Sequence, residues 1–158
     1  ISVQEINDIS VSSTKIRTAL LDGNMSLANS YLGYDYFLTG TVVKGKQLGR
    51  TIGYPTANLQ IPENFKLVPQ NGVYIVQSQI QNKLVYGMMN IGTNPTVGGQ
   101  QQSIEVNFID FEGDLYQQEI QVAIVQRIRS EKKFDSIEDL KNQLRKDEQT
   151  VLEYINKI

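Results

Sequence analysis

The residues best suited to chemistry lie in one glycine-rich stretch, positions 40–58. Its four glycines allow positive φ and bring backbone N–H groups close to an anion. Thr56 and Asn58 follow at alternating positions, which in an extended chain point both side chains the same way. Such oxygen ligands suit Mg²⁺ that arrives with a nucleotide. The stretch therefore predicts a phosphate and metal site, with positive charge from Lys44, Lys46 and Arg50.

The same stretch comes within one residue of a P-loop. It reads G-x-x-x-x-G-K from Gly40, but Gln47 stands where Ser or Thr would coordinate the metal. A P-loop joins a buried strand to a helix, whereas the residues after Val43 contain too many glycines and a proline to begin one. Phosphate binding must use another architecture, and a hairpin that merely turns the chain is the alternative that composition leaves open.

A candidate general base lies on a later strand. Residues 104–108 alternate strictly, so that Glu105 and Asn107 share one face. Because the chain has no histidine, a glutamate on a rigid strand is the best available group to take a proton from an alcohol. A solvent-facing strand residue is the alternative. Arg127 and Arg129 end another strand, where either could bind an anion, stack on a planar ring or form a surface salt bridge.

Length and composition limit the classes to which this protein can belong. The chain has 158 residues, enough for one domain, and no cysteine, which excludes disulfides and thiolate metal sites. A net charge of -2 and a pI near 5.2 argue against nucleic-acid binding. No apolar run approaches the roughly 18 residues of a membrane span, and no signal peptide is visible, so we expect a cytoplasmic setting. Because the chain begins at Ile1, we expect a fragment whose upstream part is missing.

Hydrophobic periodicity divides the chain into helix, strands and helix. Helical spacing predicts two short helices between residues 13 and 32, and β-branched and aromatic runs predict strands at 37–43, 72–80, 84–91, 103–111 and 120–129. Turn signals include Thr93-Asn94-Pro95 and Gly98-Gly99. Successive strands joined by turns indicate an antiparallel barrel or sandwich. A last helix begins after the cap residue Ser136, and its apolar face should pack on the barrel through Leu140, Leu144, Val151 and Ile155.

Four separated motifs, in the right order, resemble those of riboflavin kinase. They occupy residues 49–58, 90–96, 104–116 and 128–134. Upstream, residues 12–17 look like the final motif of the FMN adenylyltransferase module that precedes the kinase in bacterial bifunctional FAD synthetases. We therefore expect residues 1–35 to be a remnant or linker of that module and residues 36–158 to be the kinase domain. FMN adenylyltransferase activity is not expected from this chain alone.

The resemblance implies a mainly β fold, a six-stranded antiparallel Greek-key barrel with a C-terminal α-helix and a short helical N-terminal segment. It implies transfer of the ATP γ-phosphate to the riboflavin 5′-hydroxyl, with Mg²⁺. By motif position Glu105 is the base, Thr56 and Asn58 hold the metal, and Arg129 lies in the flavin-side loop. The implied ATP-binding residues are Gly45, Gly49, Arg50, Gly53, Pro55, Thr56 and Asn58.

Two positions differ from the pattern of the riboflavin kinase family that this sequence resembles. Asn107 stands where the family often has histidine, and Gln117 stands where it usually has glycine. These departures leave open a second hypothesis, a barrel that binds flavin or nucleotide without turnover. A structural barrel that uses the glycine loop only as a hairpin is the third. The expected partners are riboflavin and FMN, ATP and ADP, and a covalently linked adenylyltransferase module, without nucleic acid or membrane.

Overall fold

Six antiparallel strands close into a barrel in the computed structural model, which describes residues 13–44, 56–62 and 67–158. Their order around the barrel is β1-β2-β5-β4-β3-β6, with β6 pairing back onto β1. Because β6 returns beside β3, the first strand of the β3-β4-β5 meander, the topology is the predicted Greek key. The strands are β1 (Phe37–Val43), β2 (Ala57–Gln60), β3 (Gly72–Ile80), β4 (Lys83–Thr96), β5 (Gly99–Phe108) and β6 (Glu119–Arg129).

Alternating apolar residues fill the barrel interior. In β1 every second residue is buried, as expected for a strand with one face on the core. The same alternation in β2 buries Ala57 and Leu59 and turns Asn58 outward. The interior is therefore an apolar core. Its main side chains are Leu38, Val42, Leu59, Tyr74, Val76, Met89, Ile91, Ile104, Val106, Val122 and Ile124.

Two features of the sheet differ from the sequence prediction. The prediction of a turn at Thr93-Asn94-Pro95 was wrong, because β4 continues to Thr96 and the chain turns at residues 97–98. Beyond Ile91, the described pairing of β4 is with β5 alone, and such an edge tolerates a proline that lacks an N–H. The pattern also missed β2, since four residues are too few to establish a period.

Two helices precede the barrel, as predicted: residues 13–21 (α1) and Met25–Leu32 (α2). Asn24 caps α2 by accepting from the Leu27 N–H at 3.2 Å. Asn29 ties the helix to the barrel, donating to the Ile124 carbonyl at 3.0 Å and accepting from the Tyr36 N–H at 2.8 Å. Ala19, Leu20, Met25 and Ala28 join the barrel core. The assignment of residues 1–35 to a preceding module stays a prediction.

Tyr36 links this helical segment to the chain before β3. Its buried hydroxyl donates to the Leu67 carbonyl at 2.5 Å. Burial, and secondarily the nearby Tyr34, raise the pKa of Tyr36 to about 12. The hydroxyl therefore remains a donor well above neutral pH.

The C-terminal helix α3 (Ile137–Lys157) packs on the outside of the barrel. Ser136 caps it as predicted, its hydroxyl accepting from the Asp139 N–H at 3.1 Å. Val151 is fully buried in a cluster with the outward-facing side chains of β3 and β4, and Leu144 and Ile155 pack beside it. The predicted apolar face is thus confirmed at these three positions. Across the described ranges, no helix has the length and apolarity needed to cross a membrane.

A buried ion pair joins α3 to the end of β6. Asp147, 1% exposed, accepts from Arg129 Nε at 2.9 Å and from its terminal nitrogen at 2.8 Å. Gln143 donates to the same carboxylate at 3.0 Å. The sequence prediction treated the helix charges as a solvated face, which is wrong for Asp147. Burying a carboxylate requires this paired geometry, because an isolated charge would be strongly disfavoured.

Replacing Asp147 with alanine should therefore destabilise the fold. Removing one partner of a buried pair costs about 3–5 kcal/mol, and we expect the lower end because Arg129 retains partial solvent access. Urea unfolding at pH 7 measures the change. Glu153→Ala, at an exposed position of α3, is the control and should stay within about 0.5 kcal/mol of the parent. A loss below about 1 kcal/mol for Asp147→Ala would contradict the assignment.

Candidate active site

A cavity of about 510 Å³ lies between the β1 and β2 strands and the segment that follows β5. This volume is within the range of small-molecule sites. Its walls combine apolar, amide and charged groups. The described lining residues are Val42, Val43, Lys44, Thr56, Ala57, Asn58, Phe108, Phe111, Glu112, Gly113, Asp114, Leu115 and Tyr116.

Thr56 and Asn58 form the polar part of the β2 wall. Ala57 between them is buried in the core, so the strand alternation turns its two neighbours to the other face. The structure thus brings together the two predicted oxygen ligands. Gly45, Gly49, Arg50, Gly53 and Pro55, the other predicted nucleotide-binding residues, lie outside the described residues.

Glu105 stands beside Asn58 because β2 pairs with β5. Asn58 and Glu105 are direct cross-strand partners, and such partners share a face with Cβ atoms roughly 5 Å apart. Glu105 is partly buried and is not among the described lining residues of the cavity. On the same outer face, Asn107 Nδ2 donates to Thr56 Oγ1 at 3.0 Å. A carboxylate therefore adjoins the two candidate metal ligands.

A second part of the lining, the aromatic wall, is formed by Phe108, Phe111 and Tyr116. Phe108 and Phe111 pack edge to face, with ring centroids 6.1 Å apart and an interplanar angle of 66°. Leu115 is buried and also lines the cavity, and Lys44 Nζ lies 5.7 Å from the centroid of the Tyr116 ring. Such a surface suits a planar apolar ring. The sequence pattern predicted positive charge from Lys44 but no site role for Phe108, Phe111 and Tyr116, although the motif at residues 104–116 contained these three.

Backbone hydrogen bonds hold this wall to the barrel. The Gln117 N–H donates to the Val42 carbonyl at 2.8 Å, and the Val42 N–H donates to the Gln118 carbonyl at 2.9 Å. Gln117 adopts φ +68, a left-handed conformation that glycine enters freely and that costs other residues about 1–2 kcal/mol. This accounts for the glycine usual in the resembling family. Gln117 does not line the cavity, so glutamine in place of glycine here affects the strain of the backbone and not the cavity lining.

Thr56 and Asn58 suit a divalent cation only if phosphate oxygens supply further ligands. In the part of the chain that the structure describes, no group of three or more His, Cys, Asp or Glu side chains could hold a metal. Thr56 and Asn58 are neutral, so most of the ligand charge must come from a bound anion. That donor set fits Mg²⁺ carried by a nucleotide and does not form a dedicated metal cage.

Arg129 lies apart from the cavity. Besides its pairing with Asp147, its guanidinium lies 5.9 Å from the centroid of the Phe134 ring. Its predicted contact with a flavin stays a prediction. Arg127 is structural, donating to the Asn71 carbonyl at 2.7 Å beneath the turn at Gly23.

Sequence comparisons identify relatives of known name. A family model described as riboflavin kinase matches residues 32–155. A bifunctional riboflavin kinase/FMN adenylyltransferase of Bacillus subtilis is 42% identical over 154 residues, which cover 96% of this chain and 48% of that protein. The chain thus spans about half the length of the curated relatives it matches.

Solved structures share the fold. A Streptococcus pneumoniae crystal structure named as a macrolide-efflux protein has a TM-score of 0.84 at 43% identity, covering 89% of this chain and 46% of that one. Riboflavin kinase from Trypanosoma brucei has a TM-score of 0.53 at 25% identity, covering 77% of this chain and 80% of that one. The second likeness extends over most of both chains.

Gly113→Ala should distort the aromatic wall. Gly113 adopts φ +149, and a Cβ there would lie 3.1 Å from the Phe111 ring. Strain of about 1–3 kcal/mol should displace the ring and weaken the binding of a planar aromatic ligand. Riboflavin, which the relatives' names contain, is the probe, and quenching of its fluorescence is the measurement. Gly98→Ala is the matched control, because that glycine also has positive φ but no atom within 4 Å of an added Cβ. Equal flavin affinity in the two variants would refute a role for this wall.

Proposed function

Since this chain belongs to the riboflavin kinase family, we propose that it transfers the γ-phosphate of ATP to the 5′-hydroxyl of riboflavin, giving FMN and ADP. The observation that carries the proposal is the cross-strand pairing that sets Glu105 beside Asn58, next to a cavity wall that also contains Thr56. A carboxylate, two neutral oxygen ligands and an aromatic wall are the groups that this reaction needs.

In the proposed reaction the riboflavin 5′-oxygen forms a bond to the γ-phosphorus. The bond from that phosphorus to the β,γ-bridging oxygen breaks, and ADP leaves. The hydroxyl proton passes to the Glu105 carboxylate, which is the candidate general base. Phosphoryl transfer requires little covalent work from the protein, so positioning and charge neutralisation account for most of the acceleration.

Thr56 and Asn58 would hold Mg²⁺ against the nucleotide phosphates. The metal, when bound, offsets the negative charge that the phosphates bring together. Lys44 adds a cation at the cavity wall. We keep Gly45, Gly49, Arg50, Gly53 and Pro55 as proposed contacts to the nucleotide, from the family resemblance.

The aromatic wall would receive the flavin ring. Phe108, Phe111 and Tyr116 offer apolar faces to the cavity that Thr56 and Asn58 also line. The flavin and the phosphates would then contact different residues of one cavity. Arg129, proposed for the flavin-side loop, takes no part in the proton or phosphate transfer because its guanidinium is engaged by Asp147.

We also propose that the chain works beside an FMN adenylyltransferase module in a longer polypeptide, as the names of its curated relatives suggest. FAD synthesis is not expected from this chain alone. We propose a cytoplasmic setting, where ATP is available as phosphate donor.

A flavin assay tests the proposed reaction. The chain is incubated with riboflavin, ATP and Mg²⁺, and the flavins are separated by chromatography. FMN is the expected product. FAD would show that an adenylyltransferase activity is present after all, and flavin binding without product from a folded chain would favour the hypothesis of binding without turnover.

Glu105→Gln should lower the rate of FMN formation by about 10² to 10⁴, the range of a general base, while riboflavin and nucleotide binding largely survive. The matched control is Glu119→Gln, at an exposed carboxylate on β6 outside the cavity lining. Initial rates of FMN formation provide the measurement. An unchanged rate would reassign Glu105 to a structural role.

A further inference from the structure

The hydrogen bond from Asn107 Nδ2 to Thr56 Oγ1, 3.0 Å long, joins two residues 51 positions apart. It continues the β2 and β5 register, in which Ala57 faces Val106 and Asn58 faces Glu105. Thr56 itself precedes β2, so its backbone is outside the strand. Both side chains are partly buried. The hydrogen bond from Asn107 therefore holds Thr56 at the first position beyond the backbone pairing of β2 with β5.

Orientation matters for a threonine that serves as a ligand. Rotation about χ1 exchanges the hydroxyl with the methyl group, and only the hydroxyl can bind a cation. A hydroxyl oxygen has two acceptor lone pairs and one hydrogen. Donation from Asn107 occupies one lone pair, so a cation would bind the hydroxyl oxygen through the other.

We propose that Asn107 is a positioning residue that orients the Thr56 hydroxyl toward the metal of the bound nucleotide. The proposal rests on the proposed kinase function and extends it to a residue outside the cavity lining. The amide suits this task because it donates a hydrogen bond without carrying a charge. An acidic residue here would accept hydrogen bonds instead, and a basic residue would repel the cation.

The proposal predicts an effect that depends on metal. Binding of ADP is measured by isothermal titration calorimetry, once with excess Mg²⁺ and once with excess EDTA. Asn107→Ala should bind ADP about two- to tenfold more weakly than the parent with Mg²⁺, the range expected for one lost hydrogen bond. In EDTA the affinities of the two proteins should agree, because Thr56 then has no cation to hold.

Asn107→His supplies a rescue variant. At pH 8.5 a histidine is mostly neutral and can donate through one ring nitrogen, so ADP affinity with Mg²⁺ should return toward that of the parent. Gln79→Ala is the control, because Gln79 is an exposed amide on β3 that does not line the cavity. It should match the parent in both buffers.

Three results would overturn the proposal: unchanged affinity of Asn107→Ala with Mg²⁺, an equal loss in Mg²⁺ and EDTA, or no rescue by histidine in a folded variant. The equal loss would assign Asn107 to structure alone. The kinase proposal fails separately, if the parent binds ADP and riboflavin but forms no FMN. If Asn107→Ala does not fold, the comparison of Asn107→His with the parent in the two buffers still decides.

Discussion

The pairing of β2 with β5 is the constraint on which both the barrel and the site depend. β2 has only four residues, yet it joins β1 to β5 and so closes the barrel. A slip of one residue would expose Ala57 and turn Asn58 into the core. Burial of Ala57 and Leu59 disfavours that slip, and the same register sets Asn58 beside Glu105. Core packing therefore specifies the arrangement of the polar groups.

One part of the outer surface of the barrel packs against α3 and stabilises the fold, and another part carries the candidate site residues. Over β3 and β4 this surface is covered by α3, where Met88 and Val151 are buried together. One strand further, Asn107 is the cross-strand partner of Met88 and also bonds to Thr56. The helix-covered patch and the candidate site are therefore neighbours on the outer surface. Arg129 belongs to the helix side of this division, which explains its separation from the cavity.

The two departures from the resembling family have different physical meanings. Gln117 occupies a left-handed backbone position, so its departure concerns strain in the turn that anchors the aromatic wall. Asn107 keeps a hydrogen-bond donor beside Thr56, so asparagine in place of the family's histidine still allows this contact. Neither observation favours a barrel that binds its ligands without turnover.

The sequence by itself indicated an antiparallel barrel or sandwich, the capped C-terminal helix at Ser136 and the shared face of Thr56 and Asn58, because periodicity and capping depend on near neighbours. The resemblance to riboflavin kinase narrowed the fold to a six-stranded barrel. The sequence did not reveal β2, the length of the β4–β5 hairpin or the burial of Asp147. Only the tertiary structure decided that Asn58 adjoins Glu105, that Asn107 bonds to Thr56 and that Arg129 engages Asp147. These contacts join residues far apart in the chain, and their formation depends on strand register and core packing, which no local pattern encodes.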